Sequence, residues 1–214
     1  MTTLEIAQLT VYGATVGVIL AAPIGPINIE IVRRGIRDGF VHGWMMGLGA
    51  LTADTIYALL IVTGFAQFAE NEYLRIVLFL AGAAMMAYIG YGSIKSAMNE
   101  TGMQDSGLDV PRSKSYVAGF MLAAFNPFGI VYWLTVGAGL AADAVNRFGE
   151  GGAPILVIGV MLGIFLWVTS ISTIAQISRR FVTGPAMRWI TGFSGVVLFG
   201  FAGWFLYSGI SLLL

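Results

Sequence analysis

Asp54 is the side chain whose position most strongly indicates chemistry, because it lies inside a long apolar stretch, Val41–Phe68. It is about 16 residues from the nearest charge on either side. At about 1.5 Å of helical rise per residue, this spacing places Asp54 near the centre of a bilayer. A charge there costs from about 2.5 kcal/mol upward, so such acids usually line a polar path or carry protons. We predict that Asp54 couples a proton or ion. The alternative is a protonated side chain hydrogen-bonded to Thr52, Thr55 or another helix.

Glu30 is a second acid in apolar surroundings, and two interpretations of it stay open. It precedes Arg33 and Arg34 by three and four residues, so it can pair with them on one helix face near the membrane surface. Alternatively, it faces the interior and receives an ammonium group or a cation. On the second interpretation, Glu30 belongs to the predicted substrate-binding residues.

Prolines and glycines interrupt two of the apolar stretches, in the sequences AAPIGP (21–26) and NPFG (126–129). Proline removes a backbone donor and clashes with the preceding turn, and Asn-Pro is typical of the start of a helix. We therefore expect both stretches to form two half-helices. Freed backbone groups are costly in hydrocarbon, so a break survives where a protein neighbour, water or a ligand satisfies them. One break alone would suggest a packed kink, but two favour a binding site.

The residues that these breaks contribute have suitable chemistry for a small charged solute. The amino ends of the new half-helices expose amide groups and the positive end of a helix dipole, which suits an anion. Asn side chains can donate and accept, unless they only cap their own helix, and a large aromatic can recognise a cationic head. The predicted binding residues are Pro23, Gly25, Pro26, Asn28, Glu30, Asn126, Pro127, Gly129 and Trp133.

The composition requires that membrane helices position these residues. Apolar residues make up 57% of the 214 residues, charged residues 10%, and the mean hydropathy is +0.85. The balanced net charge gives no reason to expect a nucleic-acid partner, and the absence of cysteine excludes disulfides and thiolate metal sites. With one histidine, His42, and no GxxxxGK loop, we expect neither an enzyme nor a cofactor or metal site.

Six stretches are long enough to span a bilayer, which takes about 20 residues. Lys and Arg accumulate in cytoplasmic loops, and alternate loops here carry nine on one side and two, Arg75 and Arg147, on the other. Both termini are therefore predicted outside the cytoplasm. The predicted spans are Ile6–Ile31, Val41–Phe68, Leu74–Ile94, Tyr116–Ala142, Pro154–Gln176 and Trp189–Leu212.

An internal repeat is indicated by similar residues in the third and sixth spans at an offset of 113, such as Gly82 with Gly195 and Gly90 with Gly203. The two proline-containing breaks, in the first and fourth spans, add a second similarity in the same order along the chain. Three helices cross an odd number of times, so the second copy would be inverted, as in many secondary transporters. We predict an all-α membrane protein with repeats at 1–95 and 116–214 and a cytoplasmic linker at 96–115. The glycines suit close packing within the subunit or in a homodimer.

The chain resembles the lysine exporter (LysE/RhtB) family of bacterial amino-acid exporters. The resemblance rests on PIGPINIEIVRRG with the glycine-rich span around Asp54, and on GFMLAAFNPFGIVYW at 119–133. It implies export of amino acids or similar metabolites across the inner membrane, driven by a proton or ion gradient. Family members often have Lys where this chain has Phe128 and an apolar residue where it has Glu30, so a more cationic solute is an option. The alternative function is cation or divalent-metal transport with Glu30 and Asp54 as oxygen ligands.

Overall fold

The computed structural model describes residues 1–23, 25–63, 72–99 and 111–212, and its regular structure is helical throughout these ranges. A π-helical turn, Trp133–Gly137, joins α6 to α7, and a 3-10 turn, Arg179–Phe181, follows α8. The helices are α1 (Thr3–Ala21), α2 (Pro26–Arg37), α3 (Phe40–Val62), α4 (Glu72–Asn99), α5 (Arg112–Ala124), α6 (Pro127–Tyr132), α7 (Ala138–Phe148), α8 (Gly152–Ser178) and α9 (Gly184–Ser211).

Five of the described helical segments are long and apolar enough to cross a membrane. Their outward-facing surface is apolar too: Ile19, Tyr88 and Trp189 are each at least 67% exposed, as suits contact with lipid rather than water. The chain is therefore an all-α integral membrane protein. The five segments are Thr3–Ala21, Phe40–Val62, Ile76–Met98, Gly152–Phe181 and Gly184–Ser211.

Both predicted helix breaks are confirmed. α1 ends at Ala21 and α2 begins at Pro26, with Gly25 in extended conformation between them. α5 ends at Ala124 and α6 begins at Pro127. The predicted fourth span is thus divided among α5, α6, the π-helical turn and α7, and no single long helix forms there.

Several predicted boundaries shift or lie partly outside the described residues. Helices occupy both ends of the 96–115 segment, because α4 continues to Asn99 and α5 begins at Arg112. The middle of that segment, 100–110, lies outside the described residues, as does 64–71, which includes the end of the predicted second span.

Small residues set the distances between the main helix pairs. A Cβ on Gly13 would lie 2.7 Å from the carbonyl oxygen of Leu156, and one on Gly17 would lie 2.1 Å from that of Val160. The backbones of α1 and α8 are therefore nearly in contact. The two helices run parallel, because the contact moves from Leu156 to Val160 as it moves from Gly13 to Gly17. Such contacts are typical of membrane helices, where small residues let backbones approach.

The remaining helix directions follow from pairs of contacts in the same way. α3 runs parallel to α5, α3 runs antiparallel to α8, and α4 runs antiparallel to α9. Hence α1 and α5, the helices that precede the two breaks, point in opposite directions. The contacts that fix these directions are Gly49 with Tyr116, Tyr57 with Ala124, Trp44 with Thr169, Thr55 with Met161, Gly90 with Gly195, and Phe79 with Phe205.

Candidate functional site

A cavity of about 350 Å³ lies between the two helix breaks. Its walls come from both breaks and from the middle of α3 and α8, so four segments far apart in the sequence meet there. The predicted site residues on its walls are Pro23, Gly25, Pro26, Asn28, Asp54, Asn126, Gly129 and Trp133. Pro127 is the first residue of α6. The side chain of Phe128 lies outside the described residues.

Asn28 stabilises the first break. Its side-chain amide donates to the carbonyl oxygens of Ala21, at 2.7 Å, and Pro23, at 2.8 Å. These carbonyls belong to the end of α1 and to the segment beyond it, so Asn28 does not cap its own helix. It satisfies acceptors that the break frees, which explains how the interruption persists between α1 and α2.

The amino end of α2 is open towards the cavity. A Cβ built on Gly25 would meet no other group within 4 Å, and one on Gly129 in the second break would meet only the Asn126 side chain, at 3.7 Å or more. Pro26 has no amide hydrogen, and the amide of Ile29 already donates to the Gly25 carbonyl oxygen at 3.1 Å. The first turn of α2 and the positive end of this helix therefore border space that a solute anion can enter.

Asp54 is held from the opposite side by the second break. The indole nitrogen of Trp133 donates to Asp54 Oδ1 at 3.1 Å, and no hydrogen bond to Oδ2 occurs within the described part of the chain. Trp133 begins the π-helical turn, and Gly137 leaves room for its ring, since a Cβ there would lie 2.7 Å from Trp133 Cε3. Asp54 thus lines the cavity, and one of its carboxylate oxygens is oriented by an indole.

Trp167 is a wall residue that the sequence reasoning missed. Its indole nitrogen donates to Asn28 Oδ1 at 3.3 Å, so it orients the side chain that closes the first break. The sequence does contain a signal for it, because a tryptophan in the middle of an apolar span needs a hydrogen-bond partner for its indole N–H. The remaining walls are mostly aliphatic and aromatic, and they include Leu20, Ile27, Ile31, Tyr132, Ile164 and Val168.

Comparison with known proteins places this arrangement in a family. The family model of LysE type translocators matches residues 18–209, which include both breaks and all the walls of the cavity. The chain belongs to the LysE family. It is therefore a translocator and not an enzyme, in agreement with the sequence analysis.

Bacterial relatives cover nearly the whole length of this LysE translocator. A putative amino acid efflux protein of Bacillus subtilis is 32% identical over 92% of this chain and 95% of its own. A chemotactic transduction protein of Pseudomonas aeruginosa is 29% identical over 84% and 88%, and an arginine exporter of Pectobacterium carotovorum is 26% identical over 89% and 92%. No solved structure matches the chain. Its helices and these relatives support a multi-pass protein of the inner membrane.

Glu30 of this LysE translocator forms the ion pair that the sequence left open. Its side chain is fully buried and does not line the cavity. Arg33 donates to Oε1 at 2.7 Å and to Oε2 at 2.8 Å, and Arg34 donates to Oε2 at 3.2 Å. Glu30 thus adopts the first of the two interpretations: local i,i+3 and i,i+4 geometry turns its carboxylate towards two guanidinium groups and away from the other predicted substrate-binding residues.

The Glu30 cluster also ties α2 to three other helices. The hydroxyls of Ser194, on α9, and Ser93, on α4, donate to Glu30 Oε1 at 2.8 Å and 3.4 Å. Arg34 donates to the hydroxyl oxygen of Ser115, on α5, at 2.8 Å. Glu30 therefore joins elements that are far apart in the sequence.

The described residues contain no group of three or more His, Asp or Glu side chains that could hold a metal ion. Asp54 and Glu30, the oxygen ligands named for the cation alternative, lie in separate environments, and only Asp54 lines the cavity.

Proposed function

We propose that this chain exports amino acids from the cytoplasm as a secondary transporter. The observation that carries the proposal is the cavity between two broken helices, with Asp54 on one wall and the open amino end of α2 on another. The names of two relatives, an amino acid efflux protein and an arginine exporter, support the same class of solute.

An amino acid matches both polar features of this cavity. Its ammonium group suits the carboxylate of Asp54, which has an oxygen not engaged by Trp133. Its carboxylate suits the amides of Gly25 and Ile27, at the amino end of α2, and the positive end of the α2 dipole. Half-helix termini facing a solute at mid-membrane are the arrangement that secondary transporters use.

The helix directions support the proposal that the chain consists of two inverted repeats, 1–95 and 116–214, joined by 96–115. α1 pairs with α8 in parallel, and α5 pairs with α3 in parallel, which is the exchange of partners that a two-fold relation in the membrane plane requires. α1 and α5 point in opposite directions, as inverted copies would. Rocking of one repeat against the other would give alternating access to the cavity.

The orientation follows from the loop charges. Because lysine and arginine accumulate in the loops on one side, that side is assigned to the cytoplasm and both termini to the opposite side. The Glu30 cluster then lies on the cytoplasmic side of the cavity, since Arg33, Arg34 and Arg37 belong to the predicted cytoplasmic end of α2.

The coupling role of Asp54 is tested by Asp54→Asn in proteoliposomes with an imposed proton or ion gradient. Asparagine keeps an oxygen for the Trp133 indole, so the protein should stay folded and monodisperse, but it cannot exchange a proton or pair with an ammonium group. We expect gradient-driven amino-acid flux to be lost. Asp143→Asn, at a side chain 52% exposed, is the matched control and should transport normally. Coupled flux retained in Asp54→Asn would refute the role.

A further inference from the structure

The cavity is poor in charge, and this limits the solutes that it can bind. Within the described part of the chain, Asp54 is the one carboxylate on its walls, and no lysine or arginine lines it. An amino acid with a neutral side chain brings one ammonium group and one carboxylate. Arginine and lysine bring a second cation, for which the described walls hold no counter-charge.

Glu30 cannot supply the missing counter-charge. It neighbours Ile31, a wall residue, but its two oxygens already accept bonds from Arg33, Arg34 and Ser194. A solute cation would have to displace guanidinium groups and leave them buried without a carboxylate. Breaking a buried pair in this way is strongly unfavourable.

The apolar walls favour an aliphatic side chain in place of a charged one. Leu20, Ile27 and Ile31 contribute from α1 and α2, and Ile164 and Val168 contribute from α8. Contact with these groups stabilises a buried hydrocarbon chain, whereas a cation placed among them loses its hydration without a partner.

Two other properties of the cavity agree with a small neutral solute. Its volume of about 350 Å³ is near the lower end of the roughly 300 to 1,000 Å³ that small-molecule pockets occupy, which suits one amino acid and not a peptide. The rings of Trp133 and Trp167 can attract a cation through their faces, but this attraction is weaker than pairing with a carboxylate.

We propose that the site selects neutral amino acids with an aliphatic side chain and discriminates against arginine and lysine, an inference that rests on the proposed amino-acid export. The substrate class of this chain then differs from that named for its arginine-exporting relatives. The difference follows from one carboxylate on the described walls and from the closed Glu30 cluster beside them.

Exchange assays with the full-length chain in liposomes test the selectivity. Vesicles loaded with unlabelled leucine are given labelled leucine, isoleucine, valine, arginine or lysine in turn, without any gradient. We expect the neutral amino acids to exchange. The basic ones should exchange at least about tenfold more slowly.

The possible results separate the two proposals. Exchange of arginine or lysine as fast as leucine would overturn the selectivity and leave amino-acid export standing. If no amino acid of either class exchanges, with the protein monodisperse, the proposed function itself fails and the selectivity fails with it.

A designed change of selectivity provides a second test. Leu20→Glu adds a carboxylate at a half-buried wall position, and Leu20→Gln adds the same shape without the charge. We expect Leu20→Glu to raise arginine exchange at least about tenfold over Leu20→Gln. Equal arginine exchange in the two folded variants would contradict the proposal. Ile27→Glu and Ile27→Gln repeat the comparison at a second wall position if the first pair does not fold.

Discussion

Replacing Glu30 with glutamine is expected to destabilise the protein strongly, because the carboxylate is the counter-charge for two guanidinium groups. Arg33 is 6% exposed and donates twice to Glu30, and Arg34 donates once. Glutamine keeps the side-chain length and one oxygen, but it loses the charge and presents an amide donor where an acceptor is needed. The variant thus leaves buried positive charge without its main partner.

The size of the effect follows from the burial. Removing one partner of a buried ion pair costs about 3–5 kcal/mol, because the other charge stays desolvated. The hydroxyls of Ser194 and Ser93 also lose a charged acceptor, so the upper half of this range is expected. In a chain of this length, about 1 kcal/mol shifts the melting temperature by about 2–4 °C, so a loss of about 4–5 kcal/mol should lower it by about 8–20 °C.

The assay is thermal unfolding in detergent, followed by loss of the monodisperse peak. Asp143→Asn is the matched control, because Asp143 and Arg147 form an i,i+4 pair at 2.9 Å with side chains 52% and 68% exposed. Such exposed helix pairs are worth about 0.3–0.5 kcal/mol, which predicts a shift near 1–2 °C.

Equal shifts in the two variants would refute the reasoning. That result would mean that water or a rearranged neighbour compensates the guanidinium groups, and that burial of Glu30 does not determine its contribution. Glu30→Asp gives a further check: it keeps the charge but shortens the reach, so it should lie between wild type and Glu30→Gln.

Further predictions concern packing and the cavity walls. Gly119→Ala should lower stability by about 1–3 kcal/mol in thermal unfolding, since its Cβ would lie 1.8 Å from a main-chain oxygen of α3. Gly25→Ala, with open space at its Cβ, should unfold normally but slow leucine exchange, and normal exchange would contradict the cavity's role. Trp167→Phe removes a donor to Asn28 and should cost about 1 kcal/mol and weaken exchange, whereas Trp189→Phe, at a position 77% exposed, should do neither.

The helix breaks were predictable because proline acts locally. Pro26 and Pro127 each begin a helix, and the preceding helix ends a few residues earlier in both cases. The interruption can therefore be predicted from the sequence without tertiary information. The position of Asp54 was predictable for a similar reason, since helical rise and flanking charges determine its depth. The site residues that the structure gathers around the cavity are mostly those that these two local rules select.

Residues that depend on helix rotation could not be predicted in this way. Trp167 lies in α8, whose apolar residues are spread over all faces of the helix, so periodicity gives no indication of the face that meets Asn28. Local spacing allowed Glu30 to pair with Arg33, but nothing in the sequence indicated Ser194, which is 164 residues away. The π-helical turn at Trp133 was also not anticipated, because it depends on how the indole packs beside Gly137.

Glu30 and Asp54 show that partners, and not residue type, decide what a carboxylate inside the protein does. Glu30 accepts bonds from two arginines and two serines, so adding a proton or a solute would cost it several existing interactions. Within the described residues, Asp54 accepts one hydrogen bond, from a neutral indole, and it lines the cavity. A change of protonation or the arrival of an ammonium group therefore disturbs little at Asp54. Because the Glu30–Ser194 bond ties α2 to α9, any opening of the cavity that moves one of these helices past the other must break that bond.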